Sequence, residues 1–287
     1  MLTFVNPKIN LGLNIVRRRD DGYHDLETIF YPVGKYSGSP EKQSRLTDVI
    51  ELIPAKKDRL EQCGIRADCT IENNLVMKAL RLFRDEAEKR GIAVPPYKID
   101  LVKHIPYGAG LGGGSADATF TLLALNELHD NPFNTDELIE ISRRIGADCP
   151  FFVINEPCYA EGVGEQLKPI ELDLSGYWLG VAKPVEGIST KEAFERANPH
   201  APAINLKEIA KMPIEKWRDL MVNDFEESIF SWHPQLRQVK QALYDNGAIY
   251  AAMTGSGSAF YGIFRSEEEA EKAIDATRCP ERFTVAL

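Results

Sequence analysis

Five of the seven residues from Gly108 to Gly114 are glycine, within the run KHIPYGAGLGGGSADATFTLLALNEL, Lys103 to Leu128. A backbone without Cβ atoms turns tightly and lies close against a ligand. Ser115 is placed to cap a helix, and the apolar run behind it to Leu128 reads as a buried helix. A glycine loop feeding a helix N-terminus makes an anion cradle, because unpaired N–H groups and the helix dipole both favour a phosphate there. Gly108, Gly110 and Gly113 satisfy GxGxxG, but a dinucleotide fingerprint opens a βαβ unit and carries an acid roughly 20 residues on, whereas Glu127 comes too soon. A Walker A loop needs Lys before Ser or Thr, and Gly114 stands there. A plain structural turn is the competing reading, yet so many glycines cost more chain entropy than a turn needs. Phosphate binding is favoured.

Other candidate groups are weaker alone. Lys8 follows Pro7 at a strand start and is either a solvated strand end or a fixed cation; Asn10 shares its parity and therefore its face. Asp148 lies between Gly146 and Pro150, where a carboxylate at a helix N-terminus is held charged; a simple capping role reads equally well. Tyr23-His24 follows the turn signal Asp21-Gly22 and offers a ring to stack and an imidazole to bond a planar base, though spacing alone favours an ordinary packed hairpin tip. A second glycine loop, Gly255-Ser256-Gly257, is either a hairpin bend or a cover over the same phosphates.

These groups must be held by elements the patterning supplies. Ile9, Leu11, Leu13 and Ile15 alternate as a strand with one buried face, and Leu26, Thr28 and Phe30 mark its hairpin partner. Lys35 to Thr47 reads as a surface loop, Asp48 to Pro54 as a strand, and Lys56 to Cys69 as an irregular link. Asn73-Asn74 caps a helix over about 75–90 that Gly91 ends, and 97–104 is the strand delivering the glycine loop. Thr135 is placed to cap the next helix. Residues 158–172 form a hairpin bending at Gly162 and Gly164, 178–182 a strand, and 190–196 a short helix. A helix over 234–245, two strands around the second glycine loop, a helix opened by the Ser266–Glu269 capping box and a closing strand over 283–287 predict a ferredoxin-like α+β unit. The domain boundary is placed near 155–165, dividing 1–158 from 159–287.

The 287 residues are 44% apolar and 27% charged, the balance of a globular protein of one large or two ordinary domains. A net charge of −9 without a long basic run argues against nucleic acid and anionic membranes as partners. Five cysteines without a CxxC pair, and no secretory or membrane-spanning run at the start, predict reduced thiols in the cytoplasm; Cys149 reads as a buried free thiol.

Taken together, Pro7–Leu13 (PKINLGL), IPYGAGLGGGSADA and MTGSGSAFY resemble, in order and spacing over nearly the whole chain, the small-molecule kinases of the galactokinase, homoserine kinase, mevalonate kinase and phosphomevalonate kinase (GHMP) type. RRRDDGYHDLETIF, NLVMKALRLF and GADCPFF are similar to the branch acting on a cytidyl-diphosphate polyol in non-mevalonate isoprenoid synthesis. The resemblance implies two domains, an N-terminal mixed sheet with helices and a ferredoxin-like C-terminal domain, with the active site in the cleft between them. It implies ATP-dependent phosphorylation of a 2-hydroxyl, by a monomer or homodimer, with Mg²⁺ on the ATP phosphates and no protein ligand to it assigned. It carries Asp148 over as catalytic base and Lys8 as the lysine beside it. Tyr23 and Phe194 would sandwich the cytosine and His24 bond its edge, with Asn10 and Thr190 as further substrate contacts. Pro106 and the loop residues Gly108, Ala109, Gly110, Leu111, Gly112, Gly113, Gly114 and Ser115 would hold ATP, with Asn74 and Lys103 beside the adenosine. Gly255, Ser256 and Gly257 would lie near the phosphates. The polar stretch from Lys35 to Thr47 is longer than the family's usual.

Overall fold

The structure is a computed structural model that describes residues 1–35, 44–65, 70 and 73–287. Among the described residues, three four-stranded sheets carry it. The first, in spatial order, contains β1 (Leu2–Val5), β4 (Asp48–Pro54), β6 (Tyr97–Lys103) and β5 (Arg59–Gly64), with β5 parallel to β6 and the other pairs antiparallel. The second contains β2 (Lys8–Arg18), β3 (His24–Pro32), β7 (Cys158–Glu161) and β8 (Gln166–Pro169), all antiparallel. The third contains β10 (Tyr250–Met253), β11 (Phe260–Phe264), β9 (Trp178–Lys183) and β12 (Glu281–Ala286), also antiparallel.

Helix α1 (Leu75–Glu88) and helix α2 (Gly113–Leu128) pack on each other above the first sheet, and α3 (Thr135–Arg143) and α4 (Cys149–Ile154) complete that layer. Val76, Leu80, Phe83 and Ala87, spaced for one face of α1, meet Leu122 and Leu125 of α2 in a core that takes in Phe151 and Phe152. The third sheet is crossed by α8 (Pro234–Asp245) and α9 (Glu267–Ala276) in the order strand, helix, strand, strand, helix, strand, the ferredoxin-like arrangement expected. Helices α5 (Thr190–Glu195), α6 (Leu206–Ala210) and α7 (Phe225–Trp232), with a 3-10 turn at Ile214–Asp219, fill the connection between β9 and α8.

Several local expectations change. Residues 59–64 are a strand, not an irregular link: the mostly polar RLEQCG shows little alternation because β5 is an edge strand whose order comes from its parallel partner β6. Strand β2 is buried on both faces from Lys8 to Ile15, because its polar parity faces the two glycine loops instead of water. Asn134, not Thr135, caps α3, and Glu137 closes the capping box. Ser266 caps α9 by accepting the Glu269 N–H, while the Glu269 carboxylate turns to the Arg265 N–H. The expected loop over 35–47 and link over 56–69 fall partly outside the described residues. Among the described residues no helix is long and apolar enough to cross a membrane.

Candidate active site

Three elements converge on Lys8. Strand β2 presents its side chain inward, 3% exposed, where the ammonium donates to Asn10 Oδ1 at 2.6 Å and lies 4.9 Å from the Phe30 ring centre. Helix α4 brings Asp148, whose Oδ2 is 3.7 Å from Lys8 Nζ. The glycine loop crosses over the pair: the Lys8 N–H donates to Leu111 O at 3.0 Å, and Gly112, at φ +70°, lies so close that a Cβ there would sit 3.2 Å from the Lys8 side chain. Burial lowers the lysine pKa and the Asp148 charge opposes that shift.

Asp148 occupies the N-cap position of α4 without using its carboxylate as a cap, and its side chain is 34% exposed. Capping alone therefore does not account for it. Pro150 opens the helix, and the Cys149 thiol donates to Ser115 O at 3.7 Å, so the starts of α4 and α2 are packed together. Burial raises the Cys149 thiol to about 11, that of an inert packed group.

Helix α2 begins earlier than the sequence suggests. Gly112 is its N-cap in the left-handed region, Gly113 and Gly114 are its first turn, and Ser115 lies inside it. Gly113 is needed there because a Cβ would meet Ile105 at 2.8 Å and Lys103 Nζ at 2.9 Å. No side chain caps this terminus, so its first N–H groups are left for an anion.

The second glycine loop closes against the first. Ser258 N donates to Gly108 O and Ala259 N to Ala109 O, each at 3.2 Å, and Thr254 Oγ1 donates to Gly110 O at 3.0 Å. A Cβ on Gly110, at φ +75°, would fall 2.0 Å from Thr254 O. Thr254 Oγ1 also accepts from the Asn10 N–H at 3.1 Å, so β2 and both loops share one hydroxyl. Ser256 Oγ lies 3.0 Å from Thr190 Oγ1, which places α5 at the rim.

Further along β2 and β3, His24 stacks on Phe194 with centroids 5.1 Å apart and planes at 23°, and Phe194 meets Phe225 edge-on. Tyr23 is 65% exposed at the hairpin tip. The ring paired with Phe194 is thus His24, not Tyr23. Burial, with the nearby Arg18 charge, lowers the His24 pKa and favours neutral imidazole at pH 7.

The two residues expected beside the adenosine both have partners within the protein. Asn74 Oδ1 accepts from Val76 N at 3.0 Å and caps α1. The Lys103 ammonium is fully buried beneath the loop, paired with Asp48 and with Asp117 Oδ2 at 3.0 Å. Both charges outweigh the burial penalty and raise its pKa. The lysine is therefore a strut for the loop: Asp48 Oδ1 also accepts from His104 N and Ile105 N, at 2.5 and 2.8 Å. Lys103 also lines, with Gly64, Ile65 and His104, a cavity of about 870 Å³. Asp117, Asp48 and Thr254 hold the two loops in place, and the sequence alone does not single them out. An acid inside the apolar run of α2 was the available signal for Asp117.

The double glycine loop, the lysine–aspartate pair and the ferredoxin-like partner sheet define the class as a GHMP kinase. The GHMP kinases N terminal domain matches residues 74–156 and the GHMP kinases C terminal domain matches 205–280. The 4-diphosphocytidyl-2-C-methyl-D-erythritol kinase of Parabacteroides distasonis is 46% identical over 264 residues, 92% of each chain. That of Bacteroides fragilis is 45% identical over 276 residues, 95% of each. A crystal structure of a 4-(cytidine 5'-diphospho)-2C-methyl-D-erythritol kinase superposes with TM-score 0.81 at 30% identity, covering all of both chains. Homoserine kinase from Cytophaga hutchinsonii, at 15% identity and TM-score 0.70 over 99% of this chain and 95% of its own, shares the fold. The chain belongs to the 4-diphosphocytidyl-2-C-methyl-D-erythritol kinase family of the GHMP kinases.

Proposed function

We propose that the protein transfers the γ-phosphoryl group of ATP to the 2-hydroxyl of 4-diphosphocytidyl-2-C-methyl-D-erythritol, a step of non-mevalonate isoprenoid precursor synthesis. The observation that carries this reading is the Lys8–Asp148 pair, 3.7 Å apart under the junction of two glycine loops. The hydroxyl oxygen forms a bond to the γ-phosphorus while the bond from that phosphorus to the ADP oxygen breaks. The hydroxyl proton passes to Asp148, and the Lys8 ammonium stabilises the charge gathering on the oxygens. Asn10 holds Lys8 in place. The α2 N-terminus and residues Gly108 to Ser115 cradle the phosphates, and Gly255 to Gly257 cover them from the other side.

Magnesium would be carried on the nucleotide, taking most of its ligands from the ATP phosphates and water. When bound, magnesium would offset the phosphate charge. Tyr23, His24 and Phe194 receive the cytosine, with Thr190 beside them. The proposed division of 1–158 from 159–287 falls at the first residue of β7, and the β7–β8 hairpin beyond it stays on the sheet of β2 and β3. It works in the cytoplasm as a monomer or homodimer.

A panel of alcohols with ATP, followed by ADP release, tests the reading. Turnover confined to the cytidyl substrate supports it, and turnover with homoserine or mevalonate in its place overturns it.

A further inference from the structure

We propose that Asn223 is a positioning residue that sets the second glycine loop over the nucleotide. The segment Met221–Phe225 joins β2 to that loop. On one side Leu13 N donates to Val222 O at 2.8 Å and Asp224 N to Leu13 O at 2.9 Å, tying the segment to the strand that carries Lys8 and Asn10. On the other side the Asn223 amide, 2% exposed, donates from Nδ2 to both Met253 O and Gly255 O, each at 2.8 Å. Its Oδ1 accepts from Phe225 N at 3.1 Å. Both donors of this amide are therefore spent on one turn, and its oxygen bonds its own anchor. Glu226 adds a bond from Met253 N to Oε1 at 2.7 Å.

The turn so fixed contains Thr254, whose hydroxyl bonds Gly110 O and the Asn10 N–H. The amide thus links the catalytic strand to the contact between the two loops, without itself meeting the reacting atoms. Two donors aimed at carbonyls on either side of Thr254 fix both ends of the turn, which a single hydrogen bond cannot do. Positioning of this kind acts on the nucleotide end of the site. The cytidine end depends on His24 and Phe194, which packs on Phe225, and Phe225 N is held by the other atom of the amide.

Asn223→Asp separates these roles, because it keeps Oδ1 for Phe225 N and replaces the double donor by an oxygen facing two carbonyls. The inference rests on the phosphotransfer site proposed above, so Asp148→Asn is assayed in the same series. Losing the two donors is expected to raise KM for ATP about ten-fold or more and to lower kcat, with affinity for a cytidine nucleotide kept within about two-fold. Asn223→Ala, which avoids the buried charge, shifts KM for ATP in the same direction. Asn126→Asp is the control for a purely structural amide: Asn126 bonds the Phe133 backbone on both sides, at 3.0 and 3.1 Å, at the far end of α2. It lowers the melting temperature and leaves KM for ATP unchanged. Should both Asn223 variants behave like Asn126→Asp, or weaken cytidine and ATP binding equally, the positioning role is refuted. Should Asp148→Asn retain full turnover, the site reading fails instead.

Discussion

Gly110→Ala tests whether the two loops must touch. The new methyl would lie 2.0 Å from Thr254 O and 2.8 Å from Thr254 C, so the loops must part by roughly an ångström. Parting breaks three bonds: Ser258 N to Gly108 O, Ala259 N to Ala109 O and Thr254 Oγ1 to Gly110 O. At about 0.5–1.5 kcal/mol each, their loss costs roughly 1.5–4.5 kcal/mol. The left-handed backbone at φ +75° adds about 1–2 kcal/mol for any residue with a Cβ. Gly108→Ala supplies the comparison, since Gly108 has φ +59° but nothing within 4 Å of the added carbon. It suffers the backbone term alone. Calorimetric melting of the two variants without nucleotide should therefore differ by roughly 3–8 °C, with Gly110→Ala the lower. Nucleotide titration should show Gly110→Ala losing ATP affinity as well. Equal melting temperatures would mean that the contact between the loops contributes nothing, and the argument for a joint phosphate site would fall.

Asp148→Asn is expected to lower kcat by about 10²–10⁴ while substrate affinity changes little, as steady-state kinetics and direct titration would show; equal small effects on both would remove Asp148 from proton transfer. Phe194→Ala should weaken cytidine nucleotide binding by about 1–3 kcal/mol in calorimetric titration, and the exposed Tyr23→Ala should weaken it less; unchanged affinity in both would end the stacking proposal. The alkaline limb of kcat/KM should fall below 10.5, the ordinary lysine value, because burial lowers the Lys8 pKa and the ammonium form is the one required. The sign follows from linkage. A lysine whose folded pKa is lowered loses its proton at lower pH than a free one, so activity disappears earlier as pH rises. A limb at or above 10.5 would place Lys8 outside the chemistry.

The residues gathered around Lys8 are more legible in the sequence than those that hold them. Lys8 and Asn10 share parity on β2 and do meet, and the glycine loop announces itself by composition. The ferredoxin-like unit was legible because each of its elements has its own punctuation: Pro234 and Asn246-Gly247 around α8, and Ser266 before α9. Strand β5 was not legible, because an edge strand draws its order from a partner distant in the chain. Residues 203–233 show no legible elements in the sequence because α6, the 3-10 turn and α7 are too short for periodicity to register. The surroundings of Lys103 are not legible for a related reason. Its environment is set by Asp48 and Asp117, which lie on other elements, and no local pattern says that a lysine preceding a phosphate loop has two buried carboxylates waiting for it.

The helix termini separate folding from function in this molecule. Asn74, Asn134, Ser189, Asn205 and Ser266 each spend a side-chain oxygen on the first turn of α1, α3, α5, α6 and α9, as helix starts ordinarily require. At α7 the cap residue Asp224 turns its carboxylate to Ile15 N instead, and α8 opens with a proline that has no N–H to satisfy. Helices α2 and α4 also lack a side-chain cap, although α4, like α8, has a proline in its first turn. Gly112 has no side chain to give, and the Asp148 carboxylate lies 3.7 Å from the Lys8 ammonium. These are the two termini that pack together beside the glycine loop. In the proposed reaction these are the termini that would receive the phosphates and the reacting hydroxyl, where no local side-chain cap stands in the way. A capping side chain at position 112 would stabilise α2 as a helix and fill the space that a phosphate needs.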